Sequence, residues 1–430
     1  MAEEQLTAIV VGAGPAGSTA AYVLARAGLE VLLIEKGGTP GSKNMFGGRM
    51  YSHALDKIMP GFWSQAPVER LVVKEIITFL DDGRSLSLSC QDAGWLSAHS
   101  FTLLRAQFDA WLAAKAEEAG AMLACGIRVD DLLIKEGRVA GIIAGEDQMP
   151  ADVVIAADGV NSIIAQKAGL RERAPQPRQV GTGAKQVIKL PGQAVSQRFG
   201  LAEGNGAAQL FVGQCTKGMA GGGFLYTNRD SISLGLIVNA RELQQNKYRI
   251  SDLLEEFKEN PCVAPLIEGG EVVEYSAHLV PEAGLGMLPR LCGDGILVAG
   301  DAAGFVLNLG YVVRGMDFAI ASGAAAAKAV IAARAAKDFS QRQLGLYRQF
   351  LKESFVLRDL EAYRGAPHFL ENPRLFTTYP RLAATLAGQL FTVDGSPPEH
   401  LLGKILGQMK KGGLGWGQLA RDGWKGARQL

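Results

Sequence analysis

Hydrophobic positions follow two rhythms along this chain. In the first they run together. Ala8-Ile9-Val10-Val11 ends at Gly12, and Val31-Leu32-Leu33-Ile34 ends at Glu35. Val153-Val154-Ile155-Ala156-Ala157 and Ile296-Leu297-Val298-Ala299 are two more runs, and each stops at an acid beside a glycine, Asp158-Gly159 and Gly300-Asp301. Unbroken apolar runs of this length read as strands buried on both faces of a parallel sheet. Between the first two runs, residues 18–26 are expected to be helical, with Gly28 just past the end.

In the second rhythm apolar and polar positions alternate. Residues 72–79 and 85–89 flank an Asp81-Asp82-Gly83 turn, and 186–190, 209–212, 223–226 and 231–237 are short strands separated by turns. Alternation predicts an antiparallel sheet with one face on a core. Helical spacing returns in 104–120, with Phe108, Trp111 and Leu112 on one side, in 251–259, and in the Ala-rich stretch 316–336. Residues 129–139 read as strand and turn, and the chain beyond 338 as mostly helical.

These patterns predict an α/β protein. Residues 1–70, 101–170 and 281–338 would form a Rossmann-like nucleotide-binding domain. Residues 71–100 and 171–280 would form an interleaved antiparallel substrate domain, and 339–430 a helical C-terminal region.

The turn after the first strand carries the most chemistry. Gly12-Ala13-Gly14-Pro15-Ala16-Gly17 follows a strand and precedes a helix, and Glu35 stands 18 residues after Gly17. Gly12 allows the tight turn, Gly14 lets backbone approach a pyrophosphate, and Gly17 lets helix and strand pack closely. The helix N-terminus supplies free N–H groups and a positive dipole end. A carboxylate at Glu35 suits ribose hydroxyls and repels a 2′-phosphate. No other Gly-x-Gly-x-x-Gly occurs in the chain, which argues against a second nicotinamide domain.

Composition adds exclusions. The chain has 430 residues, 48% hydrophobic and 20% charged, with a formal net charge of +1, so an ordinary core is expected and nucleic acid is not. Met1-Ala2-Glu3-Glu4-Gln5 lacks the apolar core of a signal peptide. Residues 316–336 contain Lys328 and Arg334 and read as a packed helix. Cys90, Cys125, Cys215, Cys262 and Cys292 are scattered, which suits a reducing cytosol and buried thiols. No metal-ligand spacing, catalytic triad or carboxylate pair stands out, and no general acid or base is expected.

A single nicotinamide needs one compact unit, whereas FAD needs contacts at both ends. Asp158-Gly159 and Gly300-Asp301, far from the first turn, supply strand-end acids for a hydroxyl-rich ribityl chain and glycines for the pyrophosphate. A helix starting near Gly315 would aim its positive end at the flavin N1/O2 edge.

Four stretches carry a family resemblance: Lys43-Asn44-Met45-Phe46-Gly47-Gly48-Arg49, Gly221-Gly222-Gly223-Phe224-Leu225-Tyr226-Thr227-Asn228, Val273-Glu274-Tyr275-Ser276-Ala277-His278, and Gly300-Asp301-Ala302-Ala303-Gly304 continuing to Arg314-Gly315-Met316-Asp317. Over nearly its whole length the chain resembles FAD-dependent oxidoreductases of the electron-transfer-flavoprotein:quinone oxidoreductase group, FixC type, whose relatives include geranylgeranyl reductases. The resemblance implies FAD and a p-hydroxybenzoate hydroxylase-like fold. It implies electrons arriving from an electron-transfer flavoprotein and leaving towards quinone. It places FAD contacts at Gly12, Gly14, Gly17, Glu35, Lys36, Gly47, Gly48, Arg49, Arg105, Asp158, Gly159, Gly300, Asp301, Val312 and Val313, with adenine near Val129. Gly221, Gly222 and Gly223 fall on the flavin and quinone side. Longer members carry a C-terminal four-cysteine cluster, and no cysteine follows Cys292 here. A separate small ferredoxin-like protein is therefore the expected partner, with direct quinone reduction left open.

Three features keep alternative readings. Arg314 is either a cation beside the flavin N1/O2 edge, or a salt-bridge partner of Asp317 or a surface residue. His278 reads first as a core or capping histidine. In 400–430, Lys404, Lys410, Lys411, Arg421, Lys425 and Arg428 oppose only Asp422 and are interleaved with Trp416, Trp424 and leucines. That segment would meet anionic lipid, dock an acidic partner or cap the fold. The expected location is cytoplasmic, with peripheral contact on the inner membrane face. Competing functions are a reductase or monooxygenase of a small or isoprenoid substrate, and a flavin-holding subunit.

Overall fold

The computed structural model describes residues 6–43, 47–92, 94, 99–395, 397 and 399–430. Met1 to Gln5 lie outside the described residues, as do Asn44, Met45 and Phe46 of the glycine-rich stretch. Described strands are β1 (Leu6–Val11), β2 (Val31–Glu35), β3 (Arg49–Tyr51), β4 (Val68–Asp81), β5 (Arg84–Gln91), β6 (Ser100–Leu103), β7 (Met122–Cys125), β8 (Asp131–Lys135), β9 (Arg138–Ala144), β10 (Asp147–Ala156), β11 (Val180–Lys189), β12 (Asn205–Gly213), β13 (Gly221–Thr227), β14 (Ser231–Asn239), β15 (Glu271–Pro281), β16 (Cys292–Gly293), β17 (Ile296–Val298), β18 (Leu307–Asn308) and β19 (Val313–Arg314). Helices of eight or more residues are α1 (Pro15–Arg26), α2 (Arg105–Glu118), α3 (Gly192–Phe199), α4 (Ile250–Glu259), α5 (Met316–Ala336), α6 (Leu346–Glu353), α7 (Thr378–Phe391), α8 (Leu401–Lys411) and α9 (Trp416–Gln429).

The unbroken apolar runs form the smaller sheet, ordered β16-β17-β10-β1-β2-β7, with the β8–β9 hairpin attached to β10. β17, β10, β1, β2 and β7 are parallel. Helix α1 begins at Pro15 rather than residue 18, because proline lacks the N–H that an N1 residue leaves unpaired anyway. It ends as expected, with Gly28 at a φ of +75°. The low side-chain volume of α5 is explained by its neighbour. A β-carbon on Gly323 would strike the backbone of Ala16, so α1 and α5 touch closely through small residues. α5 is long and apolar enough to cross a membrane by composition, yet it lies mostly inside the protein core.

The alternating segments form the larger sheet, ordered β15-β11-β14-β13-β12-β4-β6-β3, with β5 paired to β4. Its strands begin at Arg49, and the stretch 71–100 falls in the middle of its first part. β3, β6 and most of β15 were not marked by the hydrophobic pattern. β3 has three residues and β6 four, too few to show a period, and the outer half of β15 is exposed.

Register sorts the two faces of the larger sheet. Ile232, Leu234, Leu236 and Val238 of β14 share a core with Leu225, Phe211 and the helices α3 and α4. The opposite pleat carries different chemistry. Tyr226 pairs with Ser233, Ser233 with Val187, and Val187 with Glu274. One step along, Phe224 pairs with Gly235, Gly235 with Lys185, and Lys185 with Ser276. From that second face Lys185 reaches the carbonyl of Gly47 at 3.3 Å.

Candidate functional site

A groove opens where the connections of the smaller sheet change direction. β1 has β2 on one side and β10 on the other. Open α/β sheets bind ligands at the carboxyl ends of strands at such a point. Gly12 sits there with a φ of +103°, and a β-carbon on it would run into the carbonyl of Ala157, just after β10. A β-carbon on Gly17 would strike the Gly12 carbonyl and approach Val10 to 3.1 Å. Gly14 is different: nothing lies within 4 Å of its absent side chain. It is the N-cap of α1, with no side-chain cap and no acid in the first turn. The positive end of α1 therefore faces open space.

Glu35 closes the floor of the turn. Its carboxylate accepts from Ala13 N at 3.0 Å and Gly37 N at 2.7 Å, and each oxygen keeps capacity for a further donor. Gly126 N donates to the Gly37 carbonyl at 2.8 Å and Ile127 N to that of Glu35 at 3.0 Å. These bonds bring half-buried Val129, which lies just before β8 and outside any strand, beside the end of β2.

Opposite stands Asp158. Its Oδ2 accepts from Ile164 N at 3.0 Å, while its Oδ1 is buried without a partner. Burial raises its carboxyl pKa, with backbone N–H groups and the Lys36 charge opposing. Gly159 follows with a φ of +80° and open space around it. Gly300, at +65°, donates to Ser322 Oγ at 3.0 Å and would meet Ala16 if it had a β-carbon. It packs β17 and α5 against α1. The carboxylate of Asp301 beside it has no hydrogen bond or ion pair among the described residues, while its carbonyl accepts from Gly304 N at 2.9 Å. Burial pushes its carboxyl up to about 6, with Arg105 pulling the other way.

Arg105 starts α2 and is 8% exposed. It grips Asp109 with two bonds of 2.9 and 2.7 Å. Burial opposes its charge, and Asp109 outweighs burial. Asp109, one helical turn on, escaped the sequence reading although an arginine–aspartate pair at i, i+4 was visible there.

The larger sheet forms the remaining wall. β15 presents Glu274, Ser276 and His278 on one face. Ser276 Oγ and His278 Nε2 are buried without partners. His278 is lowered to about 4 by burial, then by the Arg105 and Lys36 charges, so it is neutral. Arg105 and Lys36 thus act on both sides of the groove. Asp158 Oδ1, Ser276 Oγ and His278 Nε2 are buried polar atoms of the kind proteins satisfy. With the open Gly14 turn, they fit a long, polar, pyrophosphate-bearing ligand such as FAD.

Several expected contacts lie apart from the turn. Arg49 bonds Glu75 through both Nη atoms, one at 2.8 Å, and Ser100 Oγ at 3.0 Å, and it covers the Tyr51 ring at 4.6 Å. It belongs to the larger sheet, where its charge is already matched. Gly48 packs under the Tyr226 ring. Gly221, Gly222 and Gly223 open β13 rather than forming a turn. Gly223 faces the Phe257 ring, in the core on the side away from Tyr226, so it offers no groove surface. Arg314 bonds Asp317 at 2.8 Å and Asp359 at 2.6 Å, and the geometry is that of the salt-bridge reading. His53 Nε2 also reaches Asp317, at 3.1 Å. Val312 and Val313 lie at the β18–β19 hairpin before α5, Val313 exposed.

Comparison with known proteins places these features. Residues 8–216 match the FAD dependent oxidoreductase family and residues 366–430 the ETF-QO/FixC family C-terminal domain. The chain is 51% identical to Protein FixC of Escherichia coli K12 over 432 residues, covering 100% of both. It is 47% identical over the same span to a probable electron transfer flavoprotein-quinone oxidoreductase, YdiS, of the same strain, again covering 100% of both. Protein FixC of Azorhizobium caulinodans is 40% identical over 405 residues, 92% of each chain. Among solved structures, a geranylgeranyl bacteriochlorophyll reductase-like protein from Thermoplasma acidophilum superposes with a TM-score of 0.74 at 22% identity, covering 97% of this chain and 98% of that one. The myxobacterial chondrochloren halogenase CndH gives 0.65 at 17%, covering 95% and 97%. At such identities the structures establish the shared fold alone.

Proposed function

The chain belongs to the ETF-QO/FixC family of FAD-dependent oxidoreductases, and from that premise we propose that it takes electrons from an electron-transfer flavoprotein and passes them to a separate small ferredoxin-like protein or to quinone. The observation that carries the reading is similarity over the whole length to FixC and to the probable quinone oxidoreductase, both FAD regions and C-terminal region included. FAD, when bound, supplies one- and two-electron transfer, so the protein's task is binding and tuning.

In this reading Gly12, Gly14, Gly17 and the N-terminus of α1 hold the pyrophosphate, and Glu35 the ribose, with Val129 near adenine. Asp158, Gly159, Gly300 and Asp301 hold the middle of the cofactor, with Lys36 and Arg105 supplying positive charge. Gly47, Gly48, Val312 and Val313 lie towards the flavin end. The N-terminus of α5 would favour negative charge at the flavin N1/O2 edge. Arg314 adds little there, since Asp317 and Asp359 neutralise it.

Exposed Leu401, Leu402, Leu406, Trp416 and Trp424, with six basic residues, support peripheral contact of 400–430 with an anionic membrane on its cytoplasmic face. Anaerobic stopped-flow mixing tests the donor. Reduced electron-transfer flavoprotein should bleach the flavin band and NADH should not. Bleaching by NADH and none by the flavoprotein, with oxygen uptake once the NADH mixture is aerated, would replace this reading with a monooxygenase.

A further inference from the structure

Lys185 is the one lysine among the described residues with no exposed surface. It lies in the middle of β11, on the groove-facing pleat, between Gly235 and Ser276. Its Nζ is 2.9 Å from Glu274 Oε1 and 3.3 Å from the carbonyl of Gly47. Burying an ammonium is unfavourable, and replacing a buried ion pair by apolar side chains of similar volume is often neutral or stabilising. Core stability alone therefore gives no reason for a lysine here.

The other surroundings of Gly47 supply one. Gly47 has a φ of +94°, and the position of its absent β-carbon is 3.9 Å from Arg105 Nη1. Gly48, next to it, accepts a bond from Leu103 N at 2.9 Å, and its absent β-carbon would sit 3.0 Å from the Tyr226 ring. The Lys185 ammonium bonds one of two consecutive peptides at the junction of the sheets, with the Arg105 guanidinium and the Tyr226 ring close beside them. Arg105 comes from the nucleotide-binding side, and Lys185 and Tyr226 from the larger sheet.

We propose that Lys185 is a positioning residue for FAD: paired with Glu274, its ammonium holds the Gly47 carbonyl and so sets the backbone against which the flavin end lies. This rests on the reading of the groove as the FAD site. Glu274 is 18% exposed on its side chain, so it tolerates loss of its partner better than a fully buried acid would. Lys185 acts through Gly47 and needs no part in electron transfer.

The test compares wild type, K185M, K185Q and E274Q as purified full-length apoprotein titrated with FAD. Thermal melting is recorded with and without FAD. K185M should melt without FAD close to wild type, yet bind FAD at least about ten-fold more weakly, the scale of one lost hydrogen bond to a charged group. K185Q keeps an N–H donor for Gly47 and should recover part of the affinity, which a purely structural role would not predict. If K185M does not fold, E274Q carries the question, and it should weaken FAD binding several-fold. FAD affinity within two-fold of wild type in every variant that folds overturns the proposal. Failure of wild type itself to take up FAD would instead remove the underlying reading of the groove.

Discussion

Single residues at this site are set by what surrounds their charge. Asp301 is a half-buried acid raised to about 6 by loss of solvent, with the Arg105 charge helping its ionised form. A carboxyl raised on folding favours the protonated fold. Its penalty is therefore absent at pH values below the ordinary carboxylate range and complete above pH 6. D301N should raise the melting temperature of the apoprotein at pH 8 and leave it nearly unchanged at pH 3, while weakening FAD binding. Equal melting at pH 8 would remove the burial argument. Arg314 shows the converse. Asp317 is 1% exposed on its side chain, and R314A leaves it, among the described residues, with His53 alone. Removing one partner of a buried pair is strongly unfavourable, and with Arg314 itself part-exposed the expected loss is about 2–3 kcal/mol by urea denaturation. The double variant R314A/D317A should recover much of it.

Elements explain which of these features could be read in advance. The first turn was legible because its constraints are local: strand, glycines, Pro15 and helix follow one another within a few residues. The structure separates the roles of its glycines in a testable way. G17A drives a β-carbon into the Gly12 carbonyl and should cost about 1–3 kcal/mol in apoprotein stability. G14A meets open space, so the apoprotein should melt nearly as wild type while FAD affinity falls by an order of magnitude or more. Fluorescence titration with FAD and thermal melting distinguish the two. The other wall of the groove was less legible. Lys185, Tyr226 and Glu75 acquire their neighbours through pairing between distant strands. A lysine among Gly183-Ala184-Lys185-Gln186-Val187-Ile188 was a signal, since an unpaired cation is costly in such a strand. Family pattern assigns Arg49 to the cofactor, and only the pairing of β3 and β4 on either side of β6 reveals its match with Glu75. The all-round apolar character of α5 marked it as a core helix, and its contact with α1 explains the alanines.

The whole molecule joins a cofactor groove to an exposed C-terminal surface. Tyr311 Oη, in the loop before β19, donates to the backbone carbonyl of Leu430 at 3.1 Å, so Leu430 is tied next to the β18–β19 hairpin. Asp422 anchors α9 through Arg374 Nε at 2.7 Å and Tyr379 at 2.7 Å, while Trp416 and Trp424 stay exposed. W416A/W424A should lower recovery with vesicles of anionic lipid in a flotation assay and leave FAD content unchanged. Equal flotation removes the membrane role of this surface.

Hydrogen exchange of the apoprotein with and without FAD tests the placement of the cofactor most directly. Protection is predicted in peptides covering Gly12 to Ser18, Arg105, Asp158 and Gly159, Ser276 to His278, and Gly300 to Gly304. FAD uptake that protects other peptides and leaves these unchanged would contradict it.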